Sequence, residues 1–97
     1  MEIERFESLK DALEHLLSER KIAISHVLEK GEEIRPHKHE VDEWVVVYEG
    51  DCEILCGDEK VRISAGDGEI YVIHISAGTV HALKSNGVRY LVLRSVE

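Results

Sequence analysis

The chain is predicted to be an all-β jelly roll or small barrel carrying one short N-terminal α-helix, and three observations lead there. From Ile22 onward, apolar and polar residues recur in short runs of β type. These runs are closed off by turns that carry glycine or charge, as expected where strands of a compact sheet reverse. Only residues 8–20 show helical spacing. Eight short strands so closely spaced suit a two-sheet jelly roll or a closed barrel, architectures that leave few strand edges open.

The elements follow in order. Ser8-Leu9-Lys10-Asp11 has the form of a helix cap, and Leu9, Ala12, Leu13, Leu16 and Leu17 then fall on one helical face. His15 lies on the opposite, polar side of that helix with Asp11, Ser18 and Glu19, and is read as a solvated residue. Strands are expected at Ile22–Leu28, Ile34–His39, Glu43–Tyr48, Cys52–Cys56, Lys60–Ile63, Ile70–Ile75, Val80–Lys84 and Val88–Arg94. Turns are expected at Lys30-Gly31, Glu49-Gly50-Asp51, Gly57-Asp58, residues 65–68, Ala77-Gly78 and Asn86-Gly87, the last with the two-residue signature of a hairpin.

Alternation sorts the faces. Val45 and Val47 share parity with Glu43, and Cys52, Ile54 and Cys56 share a face, so these are expected to line the interior. Trp44, Val46 and Tyr48 point the other way, toward the helix or a second subunit. Cys52 and Cys56 on one extended strand are held ~13 Å apart, beyond disulfide reach, and are read as free buried thiols. His26, in step with Ile22, Ile24 and Leu28, reads as a packed or edge histidine.

Composition excludes several functions. With 97 residues the chain is expected to be one domain spanning 1–97, with the barrel at 22–94. A core this small gains from partnership, and a homodimer is expected. Twelve basic against 20 acidic residues leave a net charge of −8, which repels nucleic acid and anionic membranes. No apolar run exceeds Trp44–Tyr48, against the ~18 residues that a membrane helix needs. The opening Met1-Glu2-Ile3-Glu4-Arg5-Phe6 has neither the positive end nor the apolar stretch of a signal peptide, so a cytoplasmic protein acting on a small molecule is expected.

Chemistry concentrates at His37-Lys38-His39. Side chains two apart on a strand face the same way, so two imidazoles are aimed together. Glu43 has the same parity, but a straight strand would carry it ~20 Å from His37. A turn at Glu40-Val41-Asp42 would bring all three to one point, giving two neutral nitrogens and a carboxylate suited to a divalent first-row metal. A fourth ligand must then come from another part of the chain.

Read outward, the segment runs Gly31, five residues, His37-x-His39, three residues, Glu43, six residues, Gly50. This resembles the first motif of the cupin superfamily at every fixed position. Ser76-Ala77-Gly78-Thr79-Val80-His81 resembles the second motif, with Ser76 where proline is usual. Lys30 likewise stands at a frequent proline position. Gly66-Asp67 lies four residues farther from Gly78 than the commonest spacing, and Ser85 replaces an expected asparagine.

The resemblance covers residues 22–94 and implies a double-stranded β-helix in which His37, His39, Glu43 and His81 hold one metal ion. That ligand set suits manganese, iron, nickel, cobalt, copper or zinc, with coordination positions left open. It implies a metal-dependent dioxygenase or isomerase acting on a small polar metabolite. A noncatalytic cupin that binds or senses a ligand is the alternative, and a metal-free sugar epimerase leaves the four ligands without a purpose.

If Ala77-Gly78 closes a hairpin, His74 lies across from His81 and faces the metal, as a general base or as a donor to a ligand; at a shifted register it packs in the core or faces outward instead. Arg62, Arg89, Tyr71 and Tyr90 have the chemistry to meet a substrate, but no spacing selects among them.

Overall fold

The computed structural model describes residues 1–16, 21–66 and 68–95, with the backbone alone for 21–25. Seven strands and one helix are found among them: β1 (Glu2–Phe6), α1 (Leu9–Leu16), β2 (Lys21–Leu28), β3 (Glu33–His37), β4 (Glu43–Cys56), β5 (Glu59–Ala65), β6 (Ile70–Ile75) and β7 (His81–Ser95). The all-β expectation with one N-terminal helix holds.

Two long strands organise the molecule. β4 and β7 run antiparallel along nearly their whole lengths, and each serves two sheets. The first half of β4 and the second half of β7 lie in a sheet ordered β1-β6-β4-β7-β2. The second half of β4 pairs with β5, and the first half of β7 pairs with β3, forming the opposite layer.

The expected turns at Glu49-Gly50-Asp51 and Asn86-Gly87 are not reversals. Gly50 and Gly87 both take positive φ, 89° and 87°, and the β4/β7 register shifts at Gly50. The strands bend together from one sheet into the other, so four expected strands become two and the eight expected become six, to which β1 adds a seventh. A Cβ on Gly50 would sit 2.0 Å from the carbonyl oxygen of Gly87. The corner therefore requires glycine at position 50 for close backbone approach as well as for φ.

The two faces of β4 pack as alternation requires. Val45, Val47, Cys52, Ile54 and Cys56 enter the core between the sheets, together with Ile63, Ile73 and Val92. Both cysteines are free and buried. On the outer face Val46, Val72 and Leu93 are covered by Ala12 and Leu16 of α1, with Trp44 and Tyr48 alongside. The apolar stripe of β4 is thus the seat of the helix.

Ser8 caps α1, its hydroxyl accepting from the Asp11 amide at 3.1 Å. Removal of this cap by Ser8→Ala is expected to cost about 1 kcal/mol, read as a Tm lower by roughly 5 °C. The helix is expected over 8–20, and its positions 17–20 lie outside the described residues. His15 is exposed, and its ring meets Phe6 at 5.6 Å. β1 was not expected from the sequence; it adds an edge to β6, pairing Ile3 with Ile73 and Glu2 with His74.

Candidate metal centre

Each of the four expected ligands is delivered by a different local device. His37 ends β3 and pairs directly with His81, the first residue of β7. His39 follows on the connection to β4, where its carbonyl accepts from the Gly78 amide at 2.8 Å. Asp42 holds the same two segments together, with Oδ1 accepting from the Ala77 amide at 2.8 Å. The chain turns here as the spacing of His39 and Glu43 demands, and Glu43 opens β4 on the inner face opposite Arg94.

His37, His39, Glu43 and His81 therefore converge, each offering one ligand atom, all within 4.8 Å of one another. The imidazole centroids lie 4.3 Å apart for His37–His81, 4.9 Å for His37–His39 and 5.8 Å for His39–His81.

The donor set fits a divalent metal in chemistry as well as position. His37 Nδ1 donates to the Arg35 carbonyl at 2.8 Å, and His81 Nδ1 donates to that of Thr79 at 2.9 Å. Carbonyl oxygens only accept, so these contacts put a proton on Nδ1 and turn each Nε2 toward the cluster, where it can ligate a metal once His81 gives up the proton it shares with Glu43. His39 Nε2 lies 3.3 Å from the Arg94 guanidinium, itself only a donor, so this nitrogen is likewise the acceptor.

Glu43 is 3% exposed and stays ionised. Burial pushes its carboxyl upward, but hydrogen bonds from His81 and Arg94, with the nearby charge of His39 and Arg94, more than offset this and bring it down to about 2. The His81 imidazole is raised, chiefly by its hydrogen bond to Glu43 and against the effect of burial. That of His39 is lowered, burial leading over the attraction of Glu43.

Arg94 is the site residue that sequence reasoning missed. Its Nε donates to Glu43 Oε2 at 2.7 Å, while Oε1 faces His81 Nε2 at 2.9 Å. No motif marks it; its place opposite Glu43 becomes visible only from the β4/β7 register.

A cavity of about 100 Å³ adjoins the cluster, bounded by His37, Glu43, His81, Arg94, Tyr90 and His26. His26 stacks on Tyr90 with ring centroids 5.0 Å apart, a packed histidine that also borders the cavity. A larger groove of about 340 Å³, walled by Ile34, Pro36, Leu55 and Val80, reaches His81 from the side of β3.

His74 does not join the centre. β6 lies between β1 and β4 and does not form a hairpin with β7, so His74 pairs with Trp44 and Glu2 rather than His81. Trp44 has the opposite parity from Glu43, which turns His74 to the outer surface. There it stacks on Trp44 at 4.9 Å and meets Asp42 Oδ2 at 3.3 Å. The geometry gives it no part as a base at the metal. His74→Phe is expected to leave the metal content unchanged and to alter stability by less than about 1 kcal/mol, checked by elemental analysis and thermal melting.

The comparisons decide the family. A model of the cupin domain matches residues 25–96. The chain is a cupin. Among solved structures, this cupin resembles a conserved protein of unknown function from Streptococcus pyogenes at 26% identity and TM-score 0.61, with 78% of this chain and 76% of that one covered. A cupin superfamily protein from Desulfitobacterium hafniense matches at 16% identity and TM-score 0.69 over 99% and 79% of the two chains. A formate complex of oxalate decarboxylase from Lactobacillus farciminis matches at 22% identity and TM-score 0.65, over 77% of this chain but 23% of that one. No curated protein matches significantly. These likenesses establish a shared double-stranded β-helix. No helix among the described residues is long and apolar enough to cross a membrane.

Proposed function

We propose that this cupin is a metal-dependent enzyme of dioxygenase or isomerase type, using His37, His39, Glu43 and His81 to hold one divalent transition metal and acting on a small polar metabolite. The observation that carries the reading is the convergence of four ligand atoms within 4.8 Å, with two imidazoles already oriented by backbone carbonyls. Three neutral nitrogens and one carboxylate would leave open positions on a five- or six-coordinate ion, where the metal supplies Lewis acidity or, if redox-active, electron transfer. The protein's part is to fix the ligands. Arg94 restrains one oxygen of Glu43, and the Asp42–Ala77 and His39–Gly78 contacts keep the ligand-bearing turn against the approach to β7.

Protein reconstituted separately with each candidate metal, then screened against metabolites with and without oxygen, tests this. Turnover that follows the identity of the metal supports an enzyme; a ligand that raises Tm without being transformed supports a noncatalytic binder instead. Metal affinity is expected to rise with pH through the imidazole range and level off above it. Glu43 remains anionic throughout that range, whereas His81, raised by Glu43, must shed a proton to coordinate. Metal titrations at several pH values check the slope.

The same reading includes a cytoplasmic homodimer whose partners are small molecules and neither nucleic acid nor membrane. The net charge of −8 and the small core support it, and light scattering measures the subunit number.

A further inference from the structure

The outer face of the layer formed by β3, β7, β4 and β5 carries a pattern that the metal centre does not use. Across these four strands the register sets Glu33 beside Lys84, Lys84 beside Glu53 and Glu53 beside Arg62. Charge therefore alternates negative, positive, negative, positive over the whole width of the sheet, between neighbours about 5 Å apart at Cβ. Glu33, Lys84 and Arg62 are exposed; Glu53 is half-buried and also meets Lys60 at 3.5 Å.

One step toward the metal end, the same strands present Ala82 beside Leu55. Pro36 and Val80 adjoin this pair, and all four border the groove of about 340 Å³. Val80 is 50% exposed. The outer face of the opposite sheet is covered by α1, whereas nothing among the described residues covers this one. Apolar side chains gathered in the open beside a charged row have the composition of a protein interface.

The order of the charges decides what fits there. Reversed end for end, the row becomes positive, negative, positive, negative, so it is the complement of its own reversal. A two-fold axis parallel to the strands, lying over the line between β7 and β4, makes that reversal and keeps each row at its own height. It sets the partner's Arg62 over Glu33, the partner's Glu53 over Lys84 and the partner's Leu55 over Ala82. Like charges approach only at the rim of the apolar row, where the partner's Lys60 nears Arg35 and solvent screens the pair.

We propose that a second copy of this chain docks on this face, about a two-fold axis parallel to β4 and β7. This rests on the homodimer proposed above and names its surface, its axis and its contacts. A self-complementary patch closes a pair and exposes no further binding edge. Twisted sheets stacked face to face cross at about −30°, so the contacts nearest the axis, Lys84 with the partner's Glu53 and Ala82 with the partner's Leu55, hold the match.

Sedimentation equilibrium of the full chain tests this with charge reversals. Wild type is expected to be a dimer, and a monomer at every concentration overturns the homodimer and this face together. K84E sets glutamate against glutamate at both symmetric contacts, and E53K sets lysine against lysine. Each is expected to weaken self-association on the order of a hundredfold while circular dichroism shows the chain folded. Mixed in equal amounts, the two variants restore opposite charges at both contacts and are expected to form a heterodimer within about fivefold of wild-type affinity. Native mass spectrometry distinguishes that heterodimer by mass. A dimer that withstands both reversals lies on another face, such as the β1 or β2 edge, and overturns this proposal alone. Two folded monomeric variants that do not pair when mixed overturn it as well. If either reversal fails to fold, A82R decides in its place by setting a guanidinium against the partner's Leu55, and an undiminished dimer in A82R overturns the proposal.

Discussion

Gly50→Ala is expected to leave this cupin largely unfolded at physiological temperature, while Gly87→Ala is tolerated. Both glycines hold positive φ, which costs any other residue about 1–3 kcal/mol. They differ in space. Nothing lies within 4 Å of a Cβ built on Gly87, whereas one on Gly50 would collide with the Gly87 carbonyl oxygen at 2.0 Å. That neighbour is backbone, held by the β4/β7 ladder on both sides, and can yield only by opening the corner through which both strands pass from one sheet to the other. The expected loss is about 4 kcal/mol for Gly50→Ala against about 1 for Gly87→Ala, or roughly 20 °C against 5 °C in Tm. Thermal melts of the two variants side by side separate the close approach from the φ requirement they share.

The second large effect is expected at Glu43. Glu43→Ala removes the only carboxylate of the ligand cluster and strands the Arg94 guanidinium beside three imidazoles. Metal affinity is expected to fall on the order of a hundredfold or more, a larger loss than that from groups that merely orient ligands. Glu43→Gln keeps the shape and an oxygen but not the charge, and is expected to lie between the two.

The metal-free protein offers a separate reading of the same residue. Because the folded state brings Glu43 down to about 2 from an ordinary 4.5, its ionised form stabilises the fold above pH 4.5. That contribution is lost as pH falls toward 2. Apo Glu43→Gln should therefore show a flatter loss of stability over this acid range than apo wild type, as denaturant titrations at stepped pH would reveal.

Much of the site was legible because its signals are local. His37-x-His39 and Glu43 sit within seven residues, and strand parity with one turn suffices to aim them at a common point. His81 came through the second motif, and its pairing with His37 across β3 and β7 places it there. The interior assignments of Val45, Val47, Cys52, Ile54 and Cys56 followed from the same alternation.

What escaped depends on contacts between distant segments. Asn86-Gly87 has the form of a hairpin, but whether such a dipeptide reverses the chain or bends it depends on Gly50, which lies far away in sequence and against it in space. β1 was hidden by Glu2, Glu4 and Arg5, charges that an edge strand with little burial accepts. Which way His74 faces depends on whether Ala77-Gly78 joins neighbouring strands; the chain instead crosses from β6 in one sheet to the start of β7 in the other, and the outward alternative holds. Arg94 carries no local signal at all.

The central claim is that His37, His39, Glu43 and His81 bind one metal ion together. Anomalous X-ray diffraction from crystals of metal-reconstituted protein, collected at the absorption edge of that metal, tests it most directly. The account predicts one strong peak per chain, enclosed by the Nε2 atoms of the three histidines and an oxygen of Glu43. No peak there, or a peak that leaves His81 outside its coordination sphere, contradicts it.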